Sequence, residues 1–186
     1  MVDAWFGMFI SLLQLYFDFS GYSDMAIGLG MMMGFRFAEN FNQPLLCQSM
    51  TEFWRRWHLT LADFLRDYVY LPLIRSRTLK AEGALFCTML LSGFWHGASF
   101  AYILFGLYFA VLMLLERRFN LVTKVNGPYR LWRNILALVV LCGVMPFFIT
   151  GDTDHALNLL TGMYGLRGIG SLDAYFVETS SMTVAF

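Results

Sequence analysis

Apolar residues fall in long blocks along this chain, and the spacing of polar positions within them sets the elements. Residues 5–19 (WFGMFISLLQLYFDF) are a nearly continuous apolar run. That run is a little short of the about 20 residues one membrane span needs, and it reaches that length with residues 2–4 and a tilt. Trp5 suits an interfacial anchor. The run ends in FDFSGYSD, where Asp18, Ser20, Gly21, Ser23 and Asp24 interrupt it. Two readings stand side by side: a broken helix lining a polar cavity, or an interfacial turn with Ser23 or Asp24 capping the next helix. Residues 25–37 are again apolar, with Gly28, Gly30 and Gly34 suited to close helix packing.

Residues 39–48 (ENFNQPLLCQ) carry Pro44 and several amides and read as a loop. Ser49 and Glu52 have the S-x-x-E spacing of a capping box, which predicts a helix from about Met50. In that helix Phe53, Trp54, Trp57, Leu61, Phe64, Leu65 and Tyr68 recur at i, i+3, i+4, i+7, with Arg55, Arg56, Asp63, Arg66 and Asp67 on the other side. The pattern predicts an amphipathic helix along the membrane surface, ended by Pro72. His58 is four residues after Trp54 and three before Leu61, on their buried-side face.

From 83 to 115 there is no Asp, Glu, Lys or Arg, and His96 is the one titratable base. The segment exceeds one span, and both flanks are basic: Arg75, Arg77 and Lys80 before it; Arg117, Arg118, Lys124, Arg130 and Arg133 after it. The positive-inside rule puts both flanks in the cytoplasm. The segment is therefore expected to be two helices broken near Gly93 and Gly97, with His96 at the break, in preference to one long tilted helix. A helical approach sets His96 about 20 Å into the bilayer. An ionisable group there is by default functional; the alternative is a packed histidine bonding a neighbouring helix. Residues 135–149 form the last clear span, with Trp132 at its edge and Pro146 as a kink. Thr153 or Asp154 caps a short helix through Leu160, leaving His155 at the surface.

Composition agrees with a membrane protein: 58% hydrophobic, 14% charged and zero net charge, so nothing argues for a nucleic-acid partner. The expected architecture is all-α, a polytopic integral membrane helical bundle with an amphipathic interfacial helix, forming one membrane domain over 1–186. Cys47, Cys87 and Cys142 have neither metal nor redox spacing, so no disulfide is read and Cys87 and Cys142 count as small hydrophobes. Two histidines leave a metal ligand set short, and no metal is expected. No signal peptide and no internal repeat is read.

Three motifs in order, YFDFSGYSDMAIGLG, ENFNQPLLCQSMTEFWRRWHLTLADFLRDYVYLPL and LSGFWHGASFAYILFGLY, resemble the membrane-bound O-acyltransferase superfamily. The nearest branch is that of alginate O-acetylation and D-alanyl transfer to teichoic acid. The resemblance is strong over 5–118 and weaker over 145–165. It implies that His96 (in FWHGA) is the intramembrane catalytic histidine and His58 (in WRRWH) the second functional one. Substrate or tunnel candidates in the same motifs are Asp18, Ser20, Asp24 and Asn42, then Trp54, Arg55, Arg56 and Trp95. The resemblance also implies transfer of an acyl group, acetyl being the expected one, from a cytoplasmic thioester donor (acetyl-CoA or an acyl carrier) with no bound cofactor. The acceptor is a hydroxyl of an exported polysaccharide such as alginate, with extracytoplasmic partner proteins, in the inner membrane.

Two departures stand out. The family's Gly-Gly-x-Arg turn after the proline is replaced by LIRSR after Pro72. Family members also have further helices before and after this region, so the chain is expected to be a fragment, inactive alone. The chemistry is coherent in itself. A hydroxyl needs a base as it attacks, and in an apolar site desolvation keeps a histidine neutral and able to accept a proton. A thiol of pKa about 8.5 then leaves without strong acid help. In this scheme His58 orients the donor or hydrogen-bonds the thioester carbonyl, while Asp18 and Asp24 order the cavity. Residues alone leave two other classes open: a transporter or channel fragment with a histidine proton relay and a broken-helix site, and a non-catalytic membrane scaffold.

Overall fold

The first element, α1, runs unbroken from Val2–Met32, straight through FDFSGYSD. This computed structural model describes residues 1–123 and 128–166, and all regular structure among them is helical. Neither reading of FDFSGYSD, the broken helix or the turn, holds. Ser20 stays in the helix by donating its hydroxyl to Phe17 O, and Gly21 alone lowers helix propensity without ending it. Termination comes only at Gly34, at φ 86. There Phe35 N donates to Gly30 O and Gly34 N to Met31 O, the paired bonds of a Schellman motif that a left-handed glycine allows.

After a single 3₁₀ turn, Pro44–Leu46, the predicted amphipathic helix is built in pieces. The cap at its start is as expected: Ser49 Oγ accepts from Glu52 N at 3.1 Å. Glu52 reaches one residue further back than a standard capping box, to Gln48 N at 3.1 Å. The first piece, α2 (Met50–Trp54), stops after five residues. His58 then takes a left-handed conformation, φ 46 and ψ 57, before α3 (Leu59–Leu65). A π-helical turn, Arg66–Tyr70, leads into α4 (Leu71–Arg75). Pro72 therefore sits in the first turn of α4 and does not end the helix. Its ring crowds the carbonyl four residues back, and the wider turn just before it, with Leu71 N bonded to Arg66 O, relieves that crowding.

The break expected near Gly93 and Gly97 is present. α5 (Ala81–Trp95) and α6 (Phe100–Arg118) form an antiparallel pair, with His96 as the C-terminal cap of α5. The two backbones nearly touch: a Cβ on Gly93 would strike Tyr102 O and Gly106, and one on Gly106 would strike Met89 O. α7 (Leu131–Thr150) continues through Pro146. α8 (Thr153–Met163) is capped by Asp152, whose Oδ1 accepts from His155 N, one residue earlier than the pattern suggests. α6 and α7 are each long and apolar enough to cross a membrane; α5 is apolar but shorter. Trp5 Nε1 donates to Met163 O at 2.9 Å, so this tryptophan ties α1 to α8. The core joins α1, α2, α6 and α7 through Leu12, Phe53, Phe109 and Leu141, among others.

Candidate functional site

The turn between α5 and α6 decides where His96 goes. Gly97, at φ 155, lets the chain reverse where a side chain is strained. Ser99 caps α6 by accepting from Ala101 N at 3.2 Å, and its hydroxyl donates to Gly151 O in the turn after α7. The reversal is thus pinned to the far end of α7. The imidazole lies among aromatic rings: Phe148 of α7 at 5.0 Å, Phe105 at 5.7 Å and Tyr102 at 6.1 Å, between centroids. The imidazole is packed against these rings, and among the described residues no hydrogen bond reaches either of its nitrogens.

His96 borders a narrow apolar cleft, open on one side, between α1, α2, α6 and α7. Its walls include Leu12, Leu15, Phe53, Trp54, Phe109 and Met145, and among the described residues that line it His96 is the only ionisable one. One polar group on an otherwise apolar lining is the composition expected where a largely apolar group binds. Trp54 is 8% exposed, and its Nε1 is buried without a partner among the described residues.

His58 arrives by another route. Its left-handed backbone turns the imidazole off the face that helical spacing assigned it, toward Phe19 of α1 at 4.8 Å and Trp95 at 5.8 Å. Trp95, 58% exposed, touches both histidines, since its centroid is also 4.8 Å from His96. The two histidines named from sequence are therefore neighbours across one indole. A left-handed histidine persists only where its surroundings over-determine it.

A buried network holds this segment. Glu52, with a fully buried side chain, accepts from Arg56 Nε at 3.0 Å and Arg56 Nη2 at 2.8 Å. Thr123 Oγ1 donates to its other oxygen at 2.5 Å. Arg56 Nη1 donates to Asn42 O at 3.1 Å, and Asn42 N to Arg56 O at 2.9 Å. From the end of α6, Glu116 accepts from Met50 N at 2.5 Å and Thr51 N at 2.9 Å, supplying α2 with a second cap. Arg56 is thus buried within this network and not on an exposed polar face, and Asn42 joins it through its backbone. Burial raises the Cys47 thiol to about 12, so it stays protonated.

Other expectations fare differently. Asp18 and Asp24 are exposed on α1 and do not border the cleft, and Ser20 bonds only its own helix. Arg55 is exposed. His155 is at the surface beside Asp152, at 2.8 Å. Cys87 is exposed and not a packed hydrophobe. The sequence reading missed Asn40, Phe19 and Phe148. Only Asn40 left a trace, as one of several amides in the loop before Pro44.

Residues 1–145 match the model described as MBOAT, membrane-bound O-acyltransferase family. The chain is 53% identical over 143 residues to a probable alginate O-acetylase of Pseudomonas aeruginosa, covering 75% of this chain and 27% of that protein. It is 43% identical over 187 residues to the probable alginate O-acetylase of Azotobacter vinelandii, covering 98% of this chain and 37% of the relative. A teichoic acid D-alanyltransferase of Bacillus subtilis is 36% identical over 142 residues, 69% of this chain and 35% of that protein. The chain thus spans roughly a third of the length of the curated relatives it matches.

Proposed function

The chain belongs to the membrane-bound O-acyltransferase family, and from that premise we propose that its cleft serves transfer of an acyl group, acetyl in the first instance, from a thioester to a hydroxyl of an exported polysaccharide. The observation that carries the reading is His96: at a helix break, and the one ionisable group among the described residues that line an apolar cleft. The chemistry follows from that setting. The acyl group occupies the apolar walls, and His96 takes the proton of the attacking hydroxyl as the carbon–oxygen bond forms. The thioester carbon–sulfur bond breaks, and the thiolate leaves and takes up a proton, which a thiol of pKa about 8.5 permits near neutral pH.

The names of the relatives support a polymer acceptor, since they couple acyl transfer to alginate and to teichoic acid. Alginate is the acceptor to try first. A thioester on the cytoplasmic side, an acceptor and partner proteins on the other, and a multi-pass location in the inner membrane complete the proposal, with 1–186 as part of one membrane domain.

The test is substitution of His96 in the native membrane setting. His96→Ala is expected to lower acetyl transfer by about 10²–10⁴-fold while donor binding stays near normal. His96→Gln keeps hydrogen-bonding capacity but supplies no base, and is expected to be equally poor. Transfer is measured beside donor binding and the amount of folded protein in the membrane. Near-normal transfer by folded His96→Gln ends the base assignment.

A further inference from the structure

The loop between α1 and α2 sets Asn40 directly against His58. Asn40 is 8% exposed, and both polar atoms of its side chain are engaged. Its Oδ1 receives Thr60 N at 3.3 Å and Thr60 Oγ1 at 2.9 Å, and its Nδ2 donates to Ser23 Oγ on α1 at 3.2 Å. A backbone N–H only donates, so the amide atom facing Thr60 N is the oxygen, which settles the amide's orientation. His58 Nδ1 lies 3.0 Å from that same oxygen. An amide oxygen only accepts, so Nδ1 is the nitrogen that carries the proton. Thr60 Oγ1, at 3.4 Å from Nδ1, is the more distant neighbour and spends its own proton on Asn40. A neutral imidazole has one N–H, so Nε2 is left with a lone pair. The backbone enforces the pairing: Leu59 N donates to Asn40 O at 2.9 Å, beside the left-handed turn at His58.

We infer that Asn40 is a positioning residue that holds His58 as the Nδ1–H tautomer, so that His58 meets the substrates as a hydrogen-bond acceptor through Nε2. This rests on the acyl-transfer reading above and changes one part of it: His58 does not donate to the thioester carbonyl. Its ligand is an O–H or N–H, which either the acceptor's hydroxyls or an amide of the donor's carrier arm supplies. Asn40 itself touches no substrate. It does for His58 what the orienting third group does for a base in a catalytic triad.

Two measurements test this. In the chain labelled with ¹⁵N-histidine and held in lipid bilayers without substrate, nitrogen spectra report the tautomer of each imidazole, and the signal lost in His58→Gln assigns His58. An Nδ1–H tautomer is expected in the unsubstituted protein; an Nε2–H tautomer overturns the inference without reference to activity or to any variant's folding. Asn40→Leu is then expected to lose the tautomer preference and, in the native membrane setting, to lower kcat/KM about tenfold, as removal of one well-placed hydrogen bond does. Asn40→Asp keeps an acceptor oxygen and is expected to retain both. A preserved Nδ1–H tautomer in Asn40→Leu removes Asn40 from the role. A rise in KM confined to the acyl donor marks the carrier amide as the ligand of Nε2; one confined to the acceptor marks its hydroxyl. If His96→Gln transfers normally while the His58 tautomer is as stated, the base assignment fails and the Asn40 inference stands.

Discussion

At the scale of single residues, the charge that matters most to the fold is the one the helical pattern assigns to the surface. Arg56 and Glu52 form an ion pair inside the protein, at 2.8 Å, with the Glu52 side chain fully buried. Removing one partner strands the other, which in proteins generally costs about 3–5 kcal/mol. Glu52→Ala is therefore expected to lower the thermal midpoint sharply in detergent, and adding Arg56→Met to restore a good part of it. Arg56→Lys is expected to be nearly as damaging as loss of the arginine. Two of its guanidinium nitrogens reach Glu52 and a third reaches Asn42 O, and an ammonium cannot span both. Arg55→Lys, on an exposed residue, should leave the stability within about 0.5 kcal/mol of the parent. Equal tolerance of Lys at both positions would contradict the buried network.

At the scale of elements, two breaks bring the two histidines to one indole: the reversal at His96 and the left-handed turn at His58. The first depends on how near α5 comes to α6. Gly93→Ala places a methyl against Tyr102 O and Gly106, and is expected to destabilise the pair by about 1–3 kcal/mol, as overpacking does. Gly83→Ala lies in the same helix, but its nearest neighbour is Leu79 at an ordinary 3.6 Å. It should stabilise by about 0.5–1 kcal/mol through helix propensity alone. Comparison of the two unfolding curves separates a close backbone approach from a general intolerance of alanine. The His96 break was legible in the sequence because the apolar segment is too long for one span and has glycines where it must turn. The His58 break was not. The periodicity of 53–68 is that of a continuous helix, and the interruption comes from bonds to Asn40 in a separate loop.

At the scale of the whole molecule, the α5–α6 pair returns the chain to the end it left, and Arg117 lies 6.0 Å over the ring of Tyr70. Residues 75–80 and 116–121 therefore face the same side of any membrane the pair enters. Single cysteines at Thr78 and Leu121, in a background lacking Cys47, Cys87 and Cys142, are expected to react alike with a membrane-impermeant thiol reagent. Opposite labelling would rule the hairpin out. Large apolar side chains remain exposed along α1, among them Phe6, Ile10, Phe17, Tyr22, Met25 and Leu29, a surface suited to lipid or to further helices.

The sequence by itself determined the all-helical character, the membrane class, the family and the reversal near His96. Each of these is written in local quantities: apolar length, charge placement and motif spacing. Tertiary structure alone decided that FDFSGYSD continues a helix and that Asp18 and Asp24 stay outside the cleft. It also decided that Arg56 is buried and that Asn40 reaches His58. These outcomes turn on which groups meet across the fold. A buried carboxylate selects its arginine, and a loop amide selects the tautomer of a histidine 18 residues further on. A pairing of that kind has no period, so no pattern of spacing announces it.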